Sequence, residues 1–345
     1  MDPVDRIIAA NSPDAASHVL VLDAPELVEE ALHRAEQISV WADDVRDFDA
    51  VAERWSDDDR VRVLGALDEI SDLEAVDLAW LRLPKALGAL DEYAELVAEV
   101  GDEEVLLVAA ARDRHMTRSM NEVLAAHFGN VSASLGQQKS RALMARLPYP
   151  AELSWPREKT HSGVKVGTSE RPVTLVAHGA TFNTNKIDAG TQLLLDHFDM
   201  IADADVYLDL GSGNGILATM LAKLQPTSQI LAIDASWAGV DATARTAAAN
   251  GVDVEAHWAA DLSVIEPGGV DVIVCNPPFH RGVAKESEPT LELFSQARDA
   301  LSEGGEFWCV YNSHLPWKAE LNKRLGPTYV VKQNTGYTLT RTQKD

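Results

Sequence analysis

Cysteine, basic charge and long apolar runs are all scarce in this chain. The two cysteines, Cys275 and Cys309, fall in predicted strands. Two thiols cannot build a disulfide framework or a four-thiolate metal site, so core packing is expected for both and no metal is called for. No apolar run approaches the ~20 residues that span a bilayer. The opening Met1-Asp2-Pro3-Val4-Asp5 lacks the layout of a signal peptide. A cytoplasmic protein without a membrane segment is therefore expected. Lys and Arg number 30 against 54 Asp and Glu, a net charge of -24. Residues 1–150 hold 30 acids and 14 bases, and residues 151–345 hold 24 and 16. Phosphate contacts supply most non-specific nucleic-acid affinity, so this balance excludes a general RNA coater. Local basic groups remain: Arg157 with Lys159, Arg281 with Lys285, and Lys318 with Lys323 and Arg324.

What is present is organised around one stretch. Val206-Tyr207-Leu208-Asp209-Leu210 is an apolar run ending in an acid, and Gly211, Gly213 and Gly215 follow at alternate positions. Ile216 to Ala222 then suits a helix. Strand, tight glycine loop and helix put unpaired N–H groups at the carboxyl end of a strand, where a small ligand can approach the backbone closely. A dinucleotide loop spaces its glycines differently, and Ile216 holds the position that pattern wants. The form D-x-G-x-G-x-G resembles the S-adenosylmethionine loop of class I methyltransferases.

Two further strand ends carry acids. Gln229 to Ile233 ends in Asp234, placed to accept hydrogen bonds from ribose hydroxyls. His257-Trp258-Ala259-Ala260 ends in Asp261. The strand Asp271 to Cys275 then runs into Asn276-Pro277-Pro278-Phe279-His280, the most specific signal in the chain. The prolines stiffen the loop and lack N–H donors. The Asn276 side-chain oxygen and the adjoining Pro277 carbonyl can accept both protons of a planar exocyclic amine. Phe279 offers a face on which a base can stack, worth ~1–3 kcal/mol. His280 and His314 are read as structural or substrate-positioning, because an amine can shed its proton after methyl transfer.

The matching residues resemble the two-domain ribosomal RNA guanine-N2 methyltransferases. They are Phe182 with Lys186-Ile187-Asp188-Ala189-Gly190, Asp209 to Gly215, Asn276 to His280, and Asn312-Ser313-His314-Leu315. The last group, with Leu321 and Leu325-Gly326, looks closer to the large-subunit enzyme than to the small-subunit one. The resemblance covers residues 173–345 well and the first half weakly. It implies that Phe182, Lys186, Asp209, Gly211, Gly213, Asp234, Asp261 and Asn276 hold S-adenosylmethionine, with Asp261 beside the adenine. Asn276, Pro277 and Phe279 would serve the reaction.

A length of 345 residues suits two ordinary domains. Residues 1–146 alternate strand and helix, which implies a mostly parallel sheet. Laid over the second half, Asp23 falls where Asp209 falls, Asp43 matches Asp234, and Leu83-Pro84-Lys85 stands in for Asn276-Pro277-Pro278. Ala24-Pro25-Glu26 replaces the glycine loop, so this half reads as a copy that kept the fold and lost the chemistry. Residues 147–172, with prolines at 148, 150, 156 and 172, are expected to be an extended or irregular linker. Residues 173–345 are expected to form a seven-stranded catalytic sheet. Its closing antiparallel hairpin is Thr328-Tyr329-Val330-Val331 and Tyr337-Thr338-Leu339-Thr340, with Asn334-Thr335-Gly336 at the turn.

The fold class is therefore α/β, as two Rossmann-like domains. The expected activity is methyl transfer to the N2 amine of a guanine in ribosomal RNA, free or in a subunit particle, by a monomer. Methylation of a protein glutamine or a DNA adenine is the rival activity, because Asn-Pro-Pro loops serve those amines too. A non-catalytic RNA-binding assembly factor is the rival of another class.

Overall fold

The computed structural model describes residues 2–277 and 288–345. The chain divides into two compact units. One comprises residues up to Trp155 together with His178–Ala180, and the other comprises Pro156–Ala177 and Thr181–Asp345.

In the first unit α1 (Pro3–Ala10) precedes β1 (Ala16–Leu22), α2 (Val28–Leu32) and β2 (Ala35–Trp41). Then come α3 (Val45–Trp55), β3 (Val61–Val63), β4 (Val76–Arg82), α4 (Leu87–Val100) and β5 (Gly101–Arg112). The unit ends with α5 (Arg118–His127), β6 (Phe128–Ala133) and β7 (Ser140–Pro148). The sheet order is β3-β2-β1-β4-β5-β7-β6. Strands β1 to β5 pair in parallel, and β7 is antiparallel to both β5 and β6. The central strands are buried on both faces, which is why Val19 to Leu22 and Leu78 to Leu81 read as unbroken apolar runs.

The second unit opens on the hairpin β8 (Arg157–Val166) and β9 (Ser169–Ala177). This corrects the expectation of an extended or irregular linker over 147–172: from residue 157 the segment is a paired hairpin, and outside its turn only 149–156 lack helix or strand. Gly167 at φ +56° makes the turn, and Val164, Val166, Val173 and Leu175 face a buried cluster with Leu194 and Met220. In the first strand only Val164 and Val166 are apolar, and Pro172 interrupts the second before its run Val173 to Ala177. The strand signal is correspondingly weak, and burial against the neighbouring helix decides the structure. After α6 (Ala189–Leu195) come β10 (Val206–Leu210), α7 (Ile216–Leu224), β11 (Gln229–Asp234), α8 (Trp237–Ala249) and β12 (Glu255–Trp258). There follow β13 (Val270–Cys275), α9 (Glu288–Ala300), β14 (Leu301–Asn312), α10 (Trp317–Arg324), β15 (Thr328–Gln333) and β16 (Tyr337–Gln343). The sheet order is β12-β11-β10-β13-β14-β16-β15, with the expected antiparallel ending.

The two seven-stranded orders are the same when each strand is replaced by its counterpart. The ladders also give residue equivalences, and these displace the ones expected from sequence. Val21 pairs with Val40 and Trp80, as Asp209 pairs with Ala232 and Val274. Asp23 therefore stands at Gly211, not at Asp209: its N–H donates to Trp41 O at 3.0 Å as that of Gly211 donates to Ile233 O at 2.8 Å. By the same register Ala42 stands at Asp234, and Arg82 rather than Leu83 stands at Asn276. Cys275 and Cys309 pair across β13 and β14 as buried free thiols within an apolar cluster. No described helix is long and apolar enough to cross a membrane.

Candidate functional site

The site grows from the end of β10. Asp209 is fully buried and accepts from Ala218 N in the first turn of α7 at 3.0 Å. Its Oδ1 is buried without a partner among the described residues. Burial pushes the carboxyl up to about 7, the helix N–H opposes this, and the nearby Asp234 charge adds to it. The glycine loop follows. Gly211 adopts φ +77°, and a Cβ there would meet nothing within 4 Å, so backbone conformation and open space toward a ligand set the requirement. Gly215 differs: at φ +72°, a Cβ would also stand 2.6 Å from Thr243 Cα on α8. Helix α7 can thus begin tight against α8.

Asp234 closes the loop from β11. Its Oδ2 accepts from Gly213 N at 2.8 Å and its Oδ1 from Ser236 N at 2.9 Å. Asn214 ties the loop to the segment before α6, donating to Thr184 O at 2.9 Å and Lys186 O at 3.1 Å. That segment brings Phe182, 55% exposed, and the exposed Lys186 beside the glycines.

Asn276 follows β13 directly. Its Nδ2 donates to Thr191 Oγ1 at 2.8 Å and to Asp188 Oδ1 at 3.2 Å. Its Oδ1 is buried and finds no partner among the described residues. Phe182, Lys186, Asp188, Thr191, Gly211, Gly213 and Asn276 line one recess that is open to solvent. An orphaned acceptor, a glycine floor that any Cβ would intrude upon and a strand-end carboxylate suit a small polar ligand presenting N–H and ribose donors.

Of the residues expected from sequence, Phe182, Lys186, Gly211, Gly213 and Asn276 share this recess, with Asp209 beneath it and Asp234 on the glycine loop. Asp261 does not join them. It lines a separate recess with Leu262, Ser263 and Gln296, and its carboxylate accepts from Ser263 N at 2.9 Å. The Ser263 side-chain and backbone hydrogen bonds hold that carboxyl below its usual range. Pro277 is buried next to Asn276. Phe279, His280, Arg281 and Lys285 lie outside the described residues. His314 is exposed. No group of three or more His, Cys, Asp or Glu among the described residues is placed to hold a metal ion.

The family described as Methyltransferase small domain matches residues 172–341, and the one described as RLMG N-terminal domain matches residues 31–148. Ribosomal RNA large subunit methyltransferase G of Streptomyces avermitilis is 30% identical over 297 residues, 84% of this chain and 76% of that protein. The protein of the same name in Pseudomonas aeruginosa is 30% identical over 272 residues, 78% of this chain and 71% of its own length. The chain belongs to the ribosomal RNA large subunit methyltransferase G family. Among solved structures, the 16S rRNA N2 methyltransferase of T. thermophilus in complex with AdoMet and guanosine has a TM-score of 0.82. It is 20% identical, with 100% of this chain and 92% of that chain covered, and this shows a shared two-unit fold. The resemblance read from Asn312 to Leu315 and Leu325-Gly326 thus led to the large-subunit branch.

Three residues of this family member were not singled out from sequence as site residues: Asn214, Asp188 and Thr191. Asp188 is legible as a cap, an acid followed by a helix-forming run. The site contacts of Asn214 and Thr191 are not legible locally, because those partners lie 28 to 30 and 85 residues away in the chain, although Asn214 also accepts from Ile216 N.

Proposed function

We propose that this chain moves the methyl group of S-adenosylmethionine to the exocyclic N2 amine of a guanine in large-subunit ribosomal RNA. The observation that carries the reading is the Asn276 Oδ1 atom, buried without a described partner and in the same recess as the glycine loop. An acceptor held there can take a proton of a planar amine and turn its nitrogen toward the loop. The glycine loop, Asp234, Phe182 and Lys186 would hold the cofactor, and Asp209 would support the loop from below. When bound, the cofactor supplies an electrophilic methyl on a sulfonium. Asn276 would hold the amine so that its nitrogen could take that methyl, and the amine proton would leave to solvent. No residue need act as a strong base. The Pro277 carbonyl and Phe279 would complete the amine and base contacts. The target guanine must be unpaired or flipped from its stack to reach this recess.

The first unit is proposed to be inert. Asp23 stands where Gly211 stands, also at positive φ, and its carboxylate accepts from Tyr93 OH at 2.8 Å and Asp43 N at 2.9 Å. A buried phenol and carboxylate thus fill the ground a cofactor would need. The substrate would place the protein in the cytoplasm, and we take it to act as a monomer, which light scattering of the purified chain checks. The function itself is tested by nucleoside analysis of ribosomal RNA from cells with and without the gene. Loss of N2-methylguanosine at one large-subunit position is expected. An unchanged profile would refute the reading.

A further inference from the structure

The Asn276 carboxamide has two ends of nearly the same size and opposite hydrogen-bonding character. Turned one way it offers an acceptor to an amine, and turned the other way it offers donors to a donor. Something must choose. Both Nδ2 protons are taken, by Thr191 Oγ1 at 2.8 Å and by Asp188 Oδ1 at 3.2 Å. An ionised carboxylate only accepts, so Asp188 cannot face the amide oxygen. Asp188 is itself held. It caps α6, its Oδ2 accepting from Gly190 N at 3.0 Å and its Oδ1 from Thr191 N at 3.2 Å. A Cβ on residue 190 would stand 3.0 Å from Asp188 Oδ2 and from Tyr337 Cε1, so glycine lets the cap close fully.

We propose that Thr191 and Asp188 are positioning residues that lock the Asn276 carboxamide with its oxygen toward the reacting amine. The proposal rests on the methyl-transfer reading above and adds residues that act only through Asn276. The first unit shows what the link is without this task. Asp5, third in α1 as Thr191 is third in α6, receives Arg82 at 2.8 and 2.7 Å, and Arg82 stands at the register position of Asn276. The tie between helix start and strand end recurs there as an ion pair that also engages Glu26. In the second unit the pair is neutral on the strand side, and it leaves one acceptor atom unspent.

A purely structural tie would affect stability alone, so the test reads chemistry separately. Methylation of large-subunit ribosomal RNA is measured for the intact chain and for Thr191→Val, Thr191→Ser and Asp188→Asn, with cofactor affinity from calorimetry and folding from thermal melts. Losing one such hydrogen bond is expected to cut kcat by about tenfold. KM for RNA and cofactor affinity should stay near the parent values, and Thr191→Ser should restore kcat. Asp188→Asn should fall similarly, because an amide at 188 can also donate and so admits the flipped Asn276. Parental kcat in a folded Thr191→Val or Asp188→Asn variant would overturn the proposal. So would a loss in Thr191→Val that Ser does not restore. If Thr191→Val fails to fold, Asp188→Asn alone decides. A parent chain that methylates no RNA would instead refute the functional reading.

Discussion

The two units carry one strand order and two chemistries, and the difference is concentrated in a few register positions. At the end of the first strand, the second unit has Gly211 over open space and the first has Asp23. At the end of the fourth strand, the second unit has Asn276 and the first has Arg82. The strand register is the same at both points, and Asp23 and Gly211 both adopt positive φ. Fold and activity are thus separable here. The sheet is specified by long apolar strands buried on both faces, and the site by what stands just past their carboxyl ends.

The comparison breaks most sharply at Asn276. Asn276→Ala removes the orphaned acceptor and should lower methylation on the order of a hundredfold or more, as removal of a preorganised polar group does. Cofactor affinity should stay within about twofold, because the glycine loop and Asp234 are untouched. Intact turnover in a radiolabel assay would remove Asn276 from the mechanism. Next in size is Gly211→Asp, which writes the first unit's residue into the second. Asp23 already occupies positive φ at the matching position, +49° against +77° at Gly211, so the variant should fold with some backbone strain, which a thermal melt checks. Its side chain would fill the open space and bring a negative charge to the ribose side, weakening cofactor binding by roughly a hundredfold. Calorimetry should find one cofactor per parent chain and none in the variant. Two sites per chain would show that the first unit is not inert.

Much of this was legible in the sequence. The glycine loop, Asn276-Pro277-Pro278 and the alternation of elements sufficed for fold class and family, because each is a local pattern, and they also named residues that the structure brings to one recess. Val173 to Ala177 reads as a short strand, but its partner over 157–166 was missed because only Val164 and Val166 there reach the buried cluster, too few for a period to stand out. The equivalence of Asp23 with Asp209 failed for a related reason. Sequence aligns like with like, whereas the ladder counts residues, and it puts Val21 at Asp209. Thr191 was invisible because its role depends on a partner brought in from β13.

The units also share a liability that pH should expose. Burial, with the Asp43 charge adding to it, pushes Asp23 up to about 7, and burial does the same to Asp209. The folded chain therefore holds these protons to near neutrality, while the unfolded chain releases them near the usual carboxylate value of 3.8. Between those limits the native state binds more protons, so each group's contribution to stability declines as pH rises from about 4 to about 7. Asn substitution keeps the shape and removes the titration. Urea unfolding should therefore find Asp23→Asn gaining stability over the parent as pH rises, by roughly 3 kcal/mol more at pH 8 than at pH 4.5. Equal shifts at both values would mean that Asp23 is not protonated in the native state.

The smallest expected effect separates the two strand-end acids that sequence treats alike. Asp234 is built into the glycine loop through Gly213 N, whereas Asp261 spends its carboxylate on Ser263 N and faces a different recess. Asp234→Asn should weaken cofactor binding by about tenfold, since it discards a charged acceptor for both the loop and a ribose. Asp261→Asn should change it by less than about threefold, because the amide oxygen can still cap Ser263. A tenfold loss at Asp261 would mean that its carboxylate leaves Ser263 and reaches the adenine once the cofactor binds, as the family resemblance implies. The measured ratio of the two effects therefore decides whether the recess seen here is already shaped for its cofactor or completes itself around it.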